Sequence, residues 1–406
     1  MIYYSQIAGP YIRHLEGAYV KGLSKATPAT RAAIELLLSG EQERAAAALA
    51  ALVADGARDA PANGALGFIA YQRRQGRLAV QLLERSVELD PDNAYNLALL
   101  AACYLGHERH ADALGAFRGA LRRDPSLHAA HTLMWTAIAA TGALDKALSA
   151  LKTALLDDWR RPPAAAAAKI PVAETTLCVI DCVDHALAER ALRLCMAGCA
   201  FDKVKWLTDR PIAIPGVHTV TIPPIRSSAE YSHFMMKDLL RYIDTEFVLV
   251  AQWDGYAVNP QAWSPEFLLF DYIGARWDRP PEPDQARHNV GNGGFSLRSR
   301  ALLEALQDPA IKPGHPEDRA ICRDNRDYLE RRHGIVFAPE DMADRFSFEH
   351  IEPPALPFGF HGVTNIARFV AAPGFSTLDF FFDASTPGGA PARTAIARKA
   401  KPRQLQ

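Results

Sequence analysis

The chain has 406 residues, 49% of them hydrophobic and 22% charged, with a formal net charge of −1. At about 100–200 residues per domain the length implies two or three domains, and the apolar fraction excludes a mainly disordered chain. The near-neutral balance gives no general attraction to nucleic acid or to an anionic membrane. The longest apolar stretch, residues 45–54, is mostly alanine and falls far short of the about 18 residues a spanning helix needs. The opening MIYYSQIAGPYIRHLEG is too polar and interrupted for a signal peptide. A soluble, cytoplasmic protein with no integral membrane segment is expected, and residues 1–25 read as an N-terminal extension. Six cysteines do not make a disulfide framework. Cys178 and Cys182 in TTLCVIDCV would share a strand face about 13 Å apart, too far for one zinc with bonds of about 2.3 Å, so buried free thiols are expected.

From residue 26 to 159 the sequence repeats itself. Ala45, Ala79, Ala113 and Ala147 recur at a spacing of 34, and Leu49, Leu83, Phe117 and Leu151 follow four residues later. Asp90-Pro91, Asp124-Pro125 and the degenerate Asp158-Trp159 keep the same period. Small residues let two helices approach, large ones fill between repeats, and Asp-Pro separates one repeat from the next. The segment resembles tetratricopeptide repeats, which implies a helical solenoid that binds a protein or peptide, or else dimerises the chain. If inner helices carry the site, Asn63, Tyr71, Arg74, Asn96, Tyr104, His128 and His131 would line its concave face.

RRPPAAAAAKIP, residues 160–171, breaks the period and reads as a linker. Beyond it strands alternate with helices. TLCVIDCV, VKWLTD and VHTVTIPP read as strands, ALAERALRLCMAGC and EYSHFMMKDLLRYI as helices, and EFVLVAQWDG as a strongly apolar strand. This order implies a largely parallel sheet with crossover helices. Ligands bind such sheets beyond the carboxyl ends of the strands, at Asp181 or Cys182, Asp209, and above all Gln252-Trp253-Asp254-Gly255. A carboxylate at Asp254 could hold a divalent cation beside a diphosphate, or the same residues could simply close a hairpin. Residues 291–298, GNGGFSLR, form a glycine-rich loop that fits neither a dinucleotide fingerprint nor a P-loop. Glu317 and Asp318 after Pro316 suit a helix N-terminus or a general base. His361 lies among glycines near the end of the domain. The tail 384–406 carries no acids and reads as basic and disordered.

In order, these motifs resemble the GT-A class of nucleotide-sugar glycosyltransferases. More closely, YSHFMMKDLLRYIDTEFVLVAQWDGY, FDYIGARW, VGNGGFSLRS, PEDRAIC, FAPEDMADRFSFE and FGFHG resemble an uncharacterised family of glycosyltransferase-like domains found in bacteria and eukaryotes. The resemblance implies a Rossmann-type α/β/α domain over 172–383 that moves a sugar from a nucleotide-sugar donor to a hydroxyl acceptor. It implies Asp318 or Glu317 as the base, and Asp254 and His361 as ligands of Mn²⁺ or Mg²⁺. Asp209, Lys237, Gln252, Trp253, Asp254, Gly293, Gly294 and Arg298 are implied at the donor. The sequence departs from the class in one place. The usual acidic motif is Asp-X-Asp, and Gln252 replaces its first acid, which weakens protein ligation of a metal. The competing reading is a non-catalytic sugar- or nucleotide-binding scaffold that uses its repeats for protein interaction.

Overall fold

The computed structural model describes residues 26–54, 58–124, 127–159, 168–277, 288–351, 353–366 and 369. They fall into two compact units, the described residues up to Ala154 and those in Leu155–Val370. The expected extension 1–25, residues 160–167 of the expected linker and the basic tail 384–406 lie outside the described residues. No helix among the described residues is long and apolar enough to cross a membrane.

The first unit is a run of paired helices: α1 Pro28–Leu38, α2 Gln42–Ala54, α3 Ala60–Gln72, α4 Gly76–Leu89, α5 Ala94–Gly106, α6 His110–Arg123, α7 His128–Ala140 and α8 Leu144–Trp159, whose last residues, from Leu155, fall in the second unit. The period-34 alanines and the large residues after them all fall on the second helix of a pair, and each is at most 1% exposed. Thr27, Asp59 and Asn93 cap α1, α3 and α5 by accepting N–H groups of the first turn. Gly40, Arg74, Glu108 and Gly142, again 34 apart, have φ of 85°, 58°, 59° and 71°. The turn inside each pair therefore needs a left-handed residue, and only the first and last pairs supply glycine. Glu108→Gly is expected to stabilise this unit by about 1 kcal/mol, because left-handed backbone costs a residue with a Cβ about 1–2 kcal/mol. Calorimetry should read that as a rise of about 2–4 °C in Tm.

The side chains expected to line a concave face are mostly interior. Asn63, Tyr71, Asn96, Tyr104 and His131 are all buried. Asn96 Nδ2 donates to Ser86 Oγ at 2.9 Å, and Ser86 Oγ donates to the Ala60 carbonyl at 2.7 Å. These polar groups join successive pairs because buried amides and hydroxyls must be satisfied.

The second unit opens with β1 (Ile170–Ile180), which begins inside the stretch expected as linker. It continues through α9 (His185–Gly198), β2 (Cys199–Thr208), β3 (His218–Thr221), α10 (Ser228–Lys237) and β4 (Phe247–Ala251). Next come β5 (Tyr272–Ile273), β6 (Ser296–Ser299), α11 (Arg300–Ala305), α12 (Glu317–Arg319), α13 (Arg326–His333), α14 (Glu340–Phe346), β7 (Ser347–Phe348), β8 (Gly359–Phe360) and α15 (Val363–Ile366). The main sheet has the order β3-β2-β1-β4-β6-β5. The first four strands are parallel, and β6 runs antiparallel to both β4 and β5. Only β6 runs against the other five strands, so the sheet is largely parallel, as the alternation of strands and helices implies, with one antiparallel member. After β4 the chain crosses back through short 3₁₀ turns to β5, which runs in the direction of β4, and β6 then starts at the end at which β4 left. Val250 pairs with Ser296, which sets the glycine-rich loop beside Gln252. Leu177, Cys178 and Val179 of β1 and Val248–Ala251 of β4 are fully buried, as central strands covered on both faces must be.

Six free cysteines are present, five buried and Cys182 half-buried beyond the end of β1. Burial pushes the Cys178 and Cys195 thiols up to about 12, so they are inert packing groups.

Candidate functional site

The carboxyl ends of β1 and β4 open onto a cleft of about 310 Å³, lined by Asp181, Asp184, Arg226, Ser227, Tyr231, Gln252 and Trp253 among others. Asp181 is tied down by its own loop, because its Oδ1 accepts the N–H groups of Val183 and Asp184, each at 2.7 Å. Desolvation nevertheless raises its pKa.

Gln252-Trp253-Asp254-Gly255 forms the tight turn that a hairpin reading expects, with Gln252 N–H donating to Gly255 O at 2.9 Å and Gly255 N–H to Gln252 O at 3.0 Å. The same turn aims a carboxylate at His361, so the backbone reading and the site reading coincide. Asp254 Oδ1 lies 3.7 Å from His361 Nε2, and Gln252 Oε1 lies 3.3 Å from the same nitrogen. The amide of Gly362 donates to the Asp254 carbonyl at 2.9 Å, joining the turn to the His361 segment.

The other face of His361 meets Glu349, a residue that the motif reading missed. Parallel pairing of Phe348 with Phe360 places the next residue of each strand, Glu349 and His361, side by side. His361 Nδ1 lies 3.3 Å from Glu349 Oε1, and Asn292 Nδ2 donates to Glu349 Oε2. The available signal was an acid directly after the short buried strand Ser347–Phe348, the logic that singled out Asp254.

The glycines of the loop serve close approach. A Cβ on Gly294 would sit 2.0 Å from His361 Nε2, and one on Gly255 would sit 2.9 Å from His361 Cδ2. The imidazole is therefore slotted between two glycines. A Cβ on Gly293 would fall 2.2 Å from Glu317 Oε1, so the loop also makes room for the α12 acids. Asp318 Oδ2 accepts the Gly293 N–H at 3.3 Å, and Oδ1 accepts that of Arg319 at 2.7 Å. Burial, and then the neighbouring Glu317, raise the Asp318 pKa. Glu317 itself is held by Arg298 Nη2 at 3.2 Å and by Ser232 Oγ at 3.3 Å.

Three other residues implied at the donor have different partners. Arg298 is fully buried against Glu317, with no exposed surface to offer a phosphate. Lys237 turns to the carbonyls of Leu306 and Asp308, because it ends α10 on the side facing the chain after α11. Asp209 accepts a hydrogen bond from His185 Nε2 at 2.7 Å, an interaction that lowers its pKa, and it is not among the residues lining the cleft.

The electrostatics favour one cation among several acids. Desolvation opposes charge on His361, but Asp254 and then Glu349 outweigh it and raise the imidazole to about 9. Burial would raise Glu349, and the imidazolium, His350 and Asn292 bring it down to about 2. With ordinary values of 4.5 for Glu349 and 6.5 for His361, the signs are opposite. The Glu349 contribution to stability is complete above pH 4.5 and is lost as pH falls through about 2. The His361 contribution is complete below pH 6.5 and is lost as pH rises through about 9. In chelator-containing buffer the urea midpoint is expected to be highest between these limits. The alkaline decline should vanish in His361→Gln.

Three side chains here could hold a divalent ion. Asp254 Oδ1, His361 Nε2 and Gln252 Oε1 converge on one side of the imidazole, and a mixed nitrogen and oxygen set favours Mn²⁺ over Mg²⁺. Ligation at Nε2 requires His361 to give up a proton.

No curated protein matches the chain. Among solved structures, an O-GlcNAc transferase mutant of Thermobaculum terrenum is similar at 17% identity and a TM-score of 0.26 over 54% of this chain. The chain spans 44% of that structure's length. Residues 216–361, from the segment before β3 to His361, match the family described as protein of unknown function (DUF5672).

Proposed function

We propose that the second unit is a nucleotide-sugar-dependent glycosyltransferase of GT-A type, and that the helical pairs before it are tetratricopeptide-like repeats that present a protein or peptide acceptor. The observation that carries the reading is the convergence of Asp254, Glu349, Asp318 and His361 from four separate segments. Gln252 and Trp253 join that cluster to a cleft of about 310 Å³ at the carboxyl end of the sheet.

In this reading the donor nucleotide occupies the cleft, with Gln252 and Trp253 at its floor. Asp254 and His361 would hold Mn²⁺ or Mg²⁺, which when bound offsets the charge of the departing diphosphate. Asp318 takes the proton of the acceptor hydroxyl as that oxygen bonds to the anomeric carbon and the bond to the diphosphate breaks. Of the two α12 acids, Asp318 suits the role, since Glu317 is committed to Arg298. Glu349 holds the far side of His361 and fixes the direction of the ring.

Calorimetric titration with a panel of nucleotide sugars, with and without Mn²⁺, and with product assayed in parallel, tests the proposal. One donor class is expected to bind and turn over, and Asp254→Ala is expected to abolish the Mn²⁺ dependence of binding. Binding without hydrolysis or transfer would favour the scaffold reading, which Gln252 in the place of an acid supports. No binding of any donor would remove both.

A further inference from the structure

A second group of metal-ligating side chains stands on α13 and the segment leading into the glycine-rich loop. His288, Asp327 and Glu330 each offer one ligand atom, and the three atoms lie within 4.8 Å of one another. Asp327 and Glu330 are three residues apart on one helix and so share a face. His288 approaches from the loop side with only 3% of its surface exposed. Its Nε2 is 3.4 Å from Asp327 Oδ1, while Asp327 Oδ2 is 3.5 Å from Arg331. The two carboxylate oxygens are thus divided between the histidine and a cation.

The backbone that brings His288 in is fixed around it. Arg323 Nε donates to the His288 carbonyl at 3.4 Å, the Trp277 amide donates to the Asn289 carbonyl at 3.0 Å, and Asn289 Nδ2 donates to Glu340 at 3.1 Å. A buried imidazole held this way has already lost its side-chain freedom, so ligation would cost little further ordering.

We propose that His288, Asp327 and Glu330 form a binding site for a divalent transition-metal ion, with Zn²⁺ the best fit. One imidazole and two carboxylates make a mixed nitrogen and oxygen set, whereas Ca²⁺ and Mg²⁺ favour oxygen alone. Tetrahedral ligands about 2.1 Å from zinc are about 3.4 Å apart. The His288–Asp327 pair already has that separation, at 3.4 Å. Glu330 completes the set by leaving Arg326, whose Nε now holds its Oε1 at 2.8 Å. The bound ion would fasten α13 to the root of the glycine-rich loop.

The site is independent of the transferase reading and is tested apart from it. Zn²⁺ is titrated calorimetrically into the full-length chain carrying Asp254→Ala, which disables the candidate centre at His361. One ion per chain is expected, with Tm raised by about 5 °C at a hundredfold excess over Kd. His288→Gln and Asp327→Asn should each weaken binding by more than about tenfold. Asp327 is half exposed, so its variant decides the matter if His288→Gln fails to fold. Absence of Zn²⁺ binding, or binding that survives Asp327→Asn and Glu330→Gln, would overturn the proposal.

Discussion

Asp318→Asn is expected to slow sugar transfer by about 10²–10⁴-fold, the range that a positioned general base contributes, while leaving donor affinity within about twofold of the native chain. The split follows from where Asp318 stands. Its carboxylate accepts two backbone N–H groups, from Gly293 and Arg319, and an asparagine of the same shape keeps one of them. Loop and helix should therefore hold their places. Basicity is lost, and burial had raised it. The measurement is single-turnover transfer beside calorimetric donor binding. Full-rate transfer by the folded variant would take the base role from Asp318. A parallel loss of donor binding would show that the residue shapes the pocket and takes no proton.

Much of this arrangement was legible in the chain because the signals were local. A spacing of 34 is visible without knowing any contact, and every period-34 alanine is buried in the second helix of its pair. Asp254 and His361 were singled out because acids after apolar strands and histidines among glycines are local features, and the two stand 3.7 Å apart. What escaped depended on pairing between distant segments. Glu349 reaches His361 only through the register of β7 against β8. The antiparallel member of the sheet is β6, which returns against β4, and no periodicity records the direction of a return. Lys237 and Arg298 show the complementary failure. Both have a charge suited to phosphate, but composition cannot tell a lysine that meets helix-end carbonyls, or an arginine sealed against a glutamate, from one that faces a ligand.

That sealed pair carries the second large effect. Arg298 and Glu317 are 0% and 6% exposed, and Ser296 Oγ accepts the Arg298 Nε hydrogen bond at 3.1 Å. Removing one member leaves the other charge buried without its counter-ion, which costs about 3–5 kcal/mol. Arg298→Met is thus expected to lower the urea-unfolding free energy of the second unit by that amount. Glu317→Gln should cost less, because a glutamine oxygen can still accept from Arg298 Nη2 while its amide nitrogen donates to Ser232 Oγ. The double variant Arg298→Met/Glu317→Gln should be more stable than Arg298→Met alone, since the stranded carboxylate is gone, and a double-mutant cycle gives the coupling directly. Additive losses would mean that water or another group already compensates the charges. The pair also matters beyond stability. Gly293 has no Cβ because Glu317 Oε1 would lie 2.2 Å from one, and the Gly293 N–H donates to Asp318. The salt bridge therefore sets where the glycine-rich loop meets the proposed base. Arg298→Met should slow transfer even at temperatures where it remains folded, by a lower turnover rate and not by weaker donor binding.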